Sequence, residues 1–149
     1  MSSNVHDTSS LDDCRIITLQ RHHHQNGNLT VMQGEEDVPY PIKRVYYLYD
    51  VPAGESRGGH SHNYCSTFLV ALSGSFDITI EDGVKKRTIT LNRPDRGLYL
   101  PAGIWRVLHN FSAGSICFVA ASILFREDDY VRDYSEFLRI TAHKREAQP

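Results

Sequence analysis

A series of short runs rich in β-branched and aromatic residues, separated by turn-forming residues, constrains the fold of this chain more than any other feature. The runs are CRIITL, NLTVM, KRVYYLYDV, TFLVALS, SFDITIE, KRTITL, RGLYLP, WRVLHNF and SICFVAASILF. Short strands at this spacing are typical of an all-β sandwich or barrel. Asp82-Gly83 lies between SFDITIE and KKRTITL, and Asp-Gly favours a tight turn, so these two runs are expected to form an antiparallel hairpin.

Only the segment DDYVRDYSEFLRITAHK spaces its apolar residues at helical intervals, which predicts one short amphipathic helix packed outside the barrel. Residues 1–13 are rich in Ser and Asp and offer little to bury, so we expect a disordered N-terminal segment. Residues 14–141 are predicted to form a single domain, followed by a polar tail over residues 142–149.

Composition narrows the possible partners and location. A net charge of −2 over 149 residues gives no general basis for binding a polyanion, so nucleic acid is not an expected partner. The polar N-terminal region shows neither a signal peptide nor a membrane span. Three widely spaced cysteines without a CxxC pair fit a reducing compartment, so we expect a cytoplasmic protein away from the membrane.

The His-Ser-His sequence at residues 60–62 is the strongest candidate for a chemical centre. Residues i and i+2 of a strand point to the same face, so His60 and His62 are expected to share one pocket. Neighbouring Arg57 would favour the neutral imidazole, which is the form that a general base requires. The alternative is that both histidines are structural, bonded to strand neighbours or exposed on a rim.

This segment matches the first motif of the cupin superfamily, G-x5-H-x-H-x(3,4)-E-x6-G, and predicts a cupin barrel of the jelly-roll type. The residues in register are Gly54, His60, His62 and Gly74. The glutamate that binds metal in this motif is replaced by Thr67, with Ser66 as the near alternative. The motif therefore lacks its carboxylate.

The second cupin motif, P-x-G-x2-H-x3-N, falls on Pro101, Gly103, Arg106 and Asn110. Arginine thus stands in place of the third histidine. Two imidazoles are fewer than the three or four protein ligands of structural or catalytic divalent sites, so we predict no metal and histidines that act as acid and base.

From about Arg15 to Phe137 the chain resembles the WxcM-like sugar 3,4-ketoisomerases. The segments that show it are IKRVYYLYDVPAGESRGGHSH, FLVALSGSFDITIEDG, RGLYLPAGIWRVLHNFS and ILFREDDYVRDYSEF. The resemblance implies a small cupin that dimerises by exchange of an N-terminal strand and needs neither metal nor other cofactor. It also implies a dTDP-linked 4-keto-6-deoxy sugar as the substrate.

The implied reaction converts dTDP-4-keto-6-deoxyglucose to its 3-keto isomer through an enediol, in the biosynthesis of deoxyamino sugars for surface polysaccharide. The family's R-G-x-H-x-H motif carries onto Arg57, His60 and His62, with the first histidine as proton acceptor and the second as positioner or relay. Arg57, His62 and Tyr47 are candidate donors to the enediolate oxygen.

Other residues are candidates for binding the rest of the substrate. Arg44 and Arg106 suit the pyrophosphate, although Arg44 is equally well a solvated strand charge. Tyr99 and Trp105 either stack on the thymine and sugar or pack in the core. His109 partly compensates for the histidine that Arg106 replaces.

The sequence departs from the family after the histidine motif, where Asn-Tyr-Cys-Ser-Thr replaces a run that contains Glu-Gln. Two alternatives therefore stay open: a metal-dependent cupin enzyme, either oxygenase or epimerase, and a non-catalytic cupin that binds a dTDP-sugar. The histidine run at residues 22–24 precedes a turn-rich segment and is interpreted as a surface cluster.

Overall fold

The computed structural model describes residues 9–147 and is built on two five-stranded antiparallel sheets. Strands are numbered along the chain. The first sheet contains, in spatial order, β1 (Arg15–Thr18), β9 (Arg96–Leu100), β6 (Thr67–Ser73), β11 (Ile116–Ala121) and β4 (Arg44–Leu48). The second contains β12 (Tyr130–Val131), β5 (Arg57–His62), β10 (Trp105–His109), β7 (Phe76–Glu81) and β8 (Lys86–Leu91). A separate hairpin joins β2 (Arg21–His24) to β3 (Gly27–Thr30). The predicted all-β cupin barrel is confirmed.

The core lies between the two sheets because inward and outward side chains alternate along each strand. Phe76, Ile78 and Ile80 of β7 are fully buried, and they pack in one cluster with Leu69 of β6 and Leu98 of β9. This packing leaves the cupin motif strands lining one end of the barrel.

The predicted Asp-Gly hairpin is also confirmed. β7 and β8 pair antiparallel from Phe76 opposite Leu91 to Glu81 opposite Lys86. Gly83 in the connecting turn has φ +95°, a backbone conformation that glycine adopts without strain.

The C-terminal helix is displaced from its predicted position. Helix α1 spans Tyr134–Ala147 and packs through Phe137 against Trp105 and Val131. Tyr130 lies instead in β12, opposite His62 of β5. The predicted polar tail is corrected as well, because α1 continues to Ala147, while residues 148–149 lie outside the described residues.

Disorder was predicted over residues 1–13. Residues 1–8 lie outside the described residues, and for residues 9–13 the prediction is wrong. A 3-10 helix, Leu11–Asp13, is closed by a capping box between Ser10 and Asp13. Leu11 is buried in the core, and its backbone N–H donates to Asp82 at 2.9 Å. One apolar residue with a satisfied backbone thus anchors the segment. Within residues 9–147, no helix is long and apolar enough to cross a membrane.

Candidate active site

A cavity of about 210 Å³ opens at the end of the barrel where the His-Ser-His strand lies. Both sheets supply its walls. The lining residues are Tyr46, Leu48, Arg57, Gly58, His60, Leu69, Arg106, Leu108, Val119, Tyr130 and Arg132. Apolar side chains form its inner wall, and polar groups converge from β4, β5 and β10.

The two histidines of β5 form a hydrogen-bonded pair. Nε2 of His60 lies 3.2 Å from Nε2 of His62, and their ring planes are nearly perpendicular, at 88°. Both residues are buried, and His60 contributes to the cavity wall. The predicted same-face arrangement is confirmed, and one imidazole of the pair is accessible to a ligand.

Behind the pair lies an aspartate that the sequence prediction missed. Nδ1 of His62 is 2.7 Å from Oδ2 of Asp129, and both side chains are almost fully buried. Oδ1 of Asp129 accepts hydrogen bonds from the backbone N–H groups of Tyr64 and Cys65, at 2.6 and 3.3 Å. Asp129 lies 67 residues from His62 in the chain, in a segment with the pattern of a helix, so no local signal marked it.

Burial and nearby cations keep the histidines neutral. Desolvation, followed by the positive charge of Arg106, lowers the pKa of His60 to about 2. Desolvation also lowers the pKa of His62, but its hydrogen bond with Asp129 opposes the effect and the value is about 4. Burial opposes ionisation of Asp129, yet the hydrogen bonds that it accepts hold its pKa below the usual range. At neutral pH Asp129 is therefore a carboxylate, and His62 and His60 are both neutral imidazoles.

The residues at the cupin metal positions do not fit a metal ion. Arg106 and Thr67, which replace the histidine and glutamate ligands, bond to each other: Nη1 of Arg106 donates to Oγ1 of Thr67 at 3.0 Å. The guanidinium thus brings a positive charge to the side of the cavity where a metal would need ligands. Two imidazoles beside a buried cation are too few ligands to hold a divalent metal ion.

A second group of possible ligands lies nearby. Among residues 9–147, His62, Cys65 and Asp129 hold ligand atoms within 4.8 Å of one another. Both carboxylate oxygens of Asp129 already accept hydrogen bonds, one from the His62 ring and one from two backbone N–H groups. Hydrogen bonding within the protein accounts for this cluster.

The cavity is strongly cationic. Arg57, Arg106 and Arg132 line it, and no carboxylate is among the described residues that do. Arg44 lies on the inward side of β4, with its guanidinium 5.3 Å from the ring of Tyr46, but is outside the cavity lining. Arg132 forms an ion pair with the exposed Glu127, at 2.9 Å, whereas Arg57 and Arg106 have no carboxylate partner among residues 9–147. Two guanidinium groups without acidic partners favour an anionic ligand.

The structure corrects the predicted tyrosine. Tyr47 points away from the barrel and is 58% exposed, whereas its neighbour Tyr46 faces the cavity. Because side chains alternate along a strand, an error of one residue moves a side chain to the opposite face. Burial raises the pKa of Tyr46 to about 12, so its phenol stays protonated as a hydrogen-bond donor.

Three further predicted substrate contacts do not reach the cavity, because each lies on the outer face of its strand. Trp105 packs against Tyr134 and Phe137 of the helix, with ring centroids 5.3 and 5.5 Å apart. His109 bonds through Nε2 to Thr79 at 2.7 Å. Tyr99 packs beside Tyr40 and beneath the Arg15 guanidinium. The core alternative holds for Trp105, while Tyr99 belongs to a smaller cluster outside the barrel.

Fold and site together define a class of protein: a cupin whose metal-binding positions have been replaced, and whose paired histidines lie in a cationic cavity suited to acid–base chemistry on an anionic ligand. The family model described as "FdtA: WxcM-like, C-terminal" matches residues 12–142.

Proteins similar to this chain are sugar 3,4-ketoisomerases, in agreement with the family model. The TDP-4-oxo-6-deoxy-alpha-D-glucose-3,4-oxoisomerase of Aneurinibacillus thermoaerophilus is 34% identical over 86% of this chain and 92% of its own length. A mutant of the 3,4-ketoisomerase QdtA from Thermoanaerobacterium thermosaccharolyticum, solved with TDP-4-keto-6-deoxyglucose, is 32% identical with a TM-score of 0.85, covering 87% and 94% of the two chains. The WlaRB TDP-quinovose 3,4-ketoisomerase of Campylobacter jejuni is 40% identical with a TM-score of 0.82, covering 85% and 98%. The chain belongs to the WxcM-like family.

Proposed function

We propose that this chain is a sugar 3,4-ketoisomerase that interconverts dTDP-4-keto-6-deoxyglucose and its 3-keto isomer. The observation that carries the proposal is the hydrogen-bonded pair of neutral histidines in a cavity lined by three arginines. Family membership and the named relatives make the chain an isomerase. The substrate is assigned from the relatives that act on it or bind it.

The reaction needs a proton to leave C3 and another to arrive at C4. The hydroxyl proton moves from O3 to O4 at the same time as the carbonyl moves from C4 to C3. The intermediate is an enediol. The sugar is neither oxidised nor reduced overall, so the reaction requires no electron acceptor. His60 is the base in this scheme, because it is the neutral imidazole that contributes to the cavity wall. Charge that develops on the enediolate oxygen is stabilised by Arg106 and by the protonated phenol of Tyr46.

The remaining arginines are suited to the pyrophosphate. Arg57 belongs to β5 just before the histidines. Arg132 follows β12, the strand that pairs with β5, and its guanidinium forms an ion pair with the exposed Glu127. A planar guanidinium matches two oxygens of a diphosphate, and a diphosphate is the ligand for which Arg132 would exchange its Glu127 partner. Arg44 of β4, whose guanidinium lies 5.3 Å from the Tyr46 ring, adds positive charge near the cavity.

A heavy-water NMR experiment tests this function. Wild-type protein with chelator is expected to convert dTDP-4-keto-6-deoxyglucose and to introduce deuterium into the sugar ring. His60→Asn should abolish both events while dTDP still binds. The matched control is His109→Asn, which changes a histidine outside the cavity and should leave turnover intact. Wild-type protein that yields neither product nor exchange would refute the isomerase assignment.

We also propose that two copies pair by exchanging the N-terminal hairpin β2–β3. All residues of this hairpin except Thr30 are exposed, and a two-stranded hairpin is only marginally stable alone. At its base lies a cavity of about 630 Å³ whose apolar wall includes Met32, Leu72 and Phe118. The hairpin of a second copy is the occupant that would cover both surfaces.

Sedimentation measures this pairing. Leu72→Asp places a charge in the proposed contact and should give a monomer. Val84→Asp, at a more exposed apolar position in the β7–β8 turn, should leave the dimer unchanged. A wild-type monomer, or a Leu72→Asp dimer, would contradict the proposed exchange.

A further inference from the structure

Three buried side chains form a continuous hydrogen-bonded row that starts at the cavity and ends inside the protein. His60 contributes to the cavity wall, His62 lies behind it at 3.2 Å, and Asp129 lies behind His62 at 2.7 Å. Asp129 is not among the residues that line the cavity. Its hydrogen bond with His62 points instead to an effect on the histidines.

Asp129 is held rigidly in its ionised form. Oδ2 accepts from the His62 ring, and Oδ1 accepts from the backbone N–H groups of Tyr64 and Cys65. These bonds link β12, which follows Asp129 directly, to the loop after β5. A carboxylate with both oxygens engaged by N–H donors cannot rotate without leaving a buried donor unpaired.

The row determines the tautomer of both rings. Because Asp129 is an ionised acceptor, Nδ1 of His62 holds a proton, and the neutral ring presents the Nε2 lone pair to His60. Nε2 of His60 must then donate into the 3.2 Å contact. Nδ1 is the nitrogen of His60 that this arrangement leaves unprotonated. It lies beside Gly58, and a backbone hydrogen bond with Gly58 raises the His60 pKa and so favours a proton there.

We propose that Asp129 is a positioning residue that fixes His62 in this tautomer, so that the His62–Asp129 pair receives the positive charge when His60 accepts a proton. This proposal rests on the isomerase function above. The C3–H bond breaks, its electron pair stays on the enediolate, and the proton bonds to Nδ1 of His60. The proton on Nε2 of His60 moves to Nε2 of His62, and the imidazolium formed there lies against the Asp129 carboxylate. Within the enediolate the hydroxyl proton moves from O3 to O4, so that the negative charge lies on O3. The reverse transfers then return a proton to C4, the carbonyl forms at C3, and both rings are restored to their neutral forms.

The electrostatics of the row favour this direction of transfer. Burial lowers the pKa of His60 further than that of His62, because the carboxylate beside His62 offsets part of the effect. A proton is therefore more stable on the inner ring than on the outer one. Among the nearby cations, Arg106 lowers the pKa of both rings, while Arg132 lowers that of His60 and Arg44 that of His62. The Asp129 carboxylate is therefore the group that favours the inner ring.

Asp129→Asn removes the charge with little change in shape. An amide cannot accept on both sides, so keeping its oxygen on the Tyr64 and Cys65 donors turns its NH₂ towards His62 and reverses the ring tautomer. We expect kcat to fall by roughly 10²-fold, with KM and dTDP affinity unchanged. Asp128→Asn is the matched control, because Asp128 is its exposed neighbour, paired with Arg126 at the surface; its kcat should equal that of wild type.

A double-mutant cycle separates positioning from a purely structural role. If Asp129 acts through His62, adding Asp129→Asn to His62→Gln should cause no further loss of kcat. An equal loss in both backgrounds, or a kcat for Asp129→Asn within about twofold of wild type, would overturn the proposal.

NMR of the ligand-free protein gives a readout that needs no substrate. Nitrogen-15 spectra of wild type should show His62 with its proton on Nδ1, together with a strongly downfield proton in the bond to Asp129. Both signatures should disappear in Asp129→Asn and persist in Asp128→Asn. Wild type that shows them without converting the sugar would refute the isomerase function alone, whereas their absence from wild type would refute the row.

Discussion

Arg106 is the residue whose environment most clearly departs from what stability alone would favour. Its side chain is completely buried, it bonds to Thr67 and to the Ile104 carbonyl, and its Nη2 has no partner among the described residues. Burial lowers its pKa, the direction expected when a cation lacks a carboxylate partner. A buried charge of this kind costs free energy of folding, and an anion in the cavity compensates for that cost only when it is bound.

Arg106→Met should therefore make the protein more stable and less active. Removing an unpaired buried cation while keeping the side-chain volume is expected to raise the free energy of unfolding by about 1–3 kcal/mol. Turnover should fall because the enediolate loses a donor. Urea unfolding and steady-state kinetics measure the two effects, with the exposed Arg139→Met as control. A variant less stable than wild type would show that the guanidinium is well compensated in the free protein.

Tyr46 and Tyr47 offer a matched pair that differs only in the face of the strand. Tyr46→Phe removes a phenol from the cavity and should lower kcat by roughly 10²-fold, the usual cost of one donor to a developing oxyanion. Tyr47→Phe removes an exposed phenol and should leave kcat unchanged. Equal losses of kcat, or a larger loss for Tyr47→Phe, would contradict the assignment of Tyr46 as the donor and favour Tyr47, the residue predicted from sequence.

For individual residues, the sequence predicted the site residues that belong to a local motif. It did not predict the residues whose position depends on strand register or on pairing with a distant segment. The positions of His60 and His62 follow from the period of a strand. The face of Tyr46 depends on register, which a run of two tyrosines does not reveal. The role of Asp129 depends on the pairing of β12 with β5, which brings Asp129 to a histidine 67 residues away in the chain.

Among the elements, the strands were predictable because alternation and turn residues are local signals, whereas the ends of the C-terminal helix were not. Tyr130 has helical spacing with Tyr134 and Phe137, yet it pairs with β5. Two backbone N–H groups and the His62 ring bond to Asp129. These contacts hold Asp129 at the end of a 3-10 helix, Glu127–Asp129, after which Tyr130 is extended. Tertiary hydrogen bonding thus outweighs local helix periodicity here.

Strand β9 depends on a glycine where two strands approach closely. A Cβ added at Gly97 would overlap the ring of Phe68 and lie 2.6 Å from the carbonyl oxygen of Leu69. Gly97→Ala should therefore lower the free energy of unfolding by about 1–3 kcal/mol, as expected for overpacking. Gly59→Ala is the control, because the nearest atom to its Cβ would be Trp105 at 3.7 Å. Thermal unfolding of both variants checks this, and equal losses would contradict the close approach.

For the whole molecule, the neutral histidines predict how stability depends on pH. Both have folded-state pKa values well below the usual 6.5, so the unfolded chain binds more protons than the folded one as pH falls below that value. Stability is then complete above about pH 6.5 and decreases towards about pH 4, by up to about 1.4 kcal/mol per pH unit for each histidine. Asp129 adds an effect of the same sign only at lower pH, because its pKa lies below 3.8.

Urea unfolding of His62→Gln between about pH 6.5 and pH 4.5 isolates this contribution. The variant lacks one of the two groups that take up a proton on unfolding, so its free energy of unfolding should fall less steeply with decreasing pH than that of wild type. His143→Gln replaces an exposed histidine of helix α1 and should keep the wild-type slope. Because glutamine at position 62 also loses the bond to Asp129, its absolute stability will be lower at every pH, and the slope alone is diagnostic. A slope for His62→Gln equal to that of wild type would mean that the ring at position 62 is already protonated in the folded protein, which would leave it unable to receive the proton from His60.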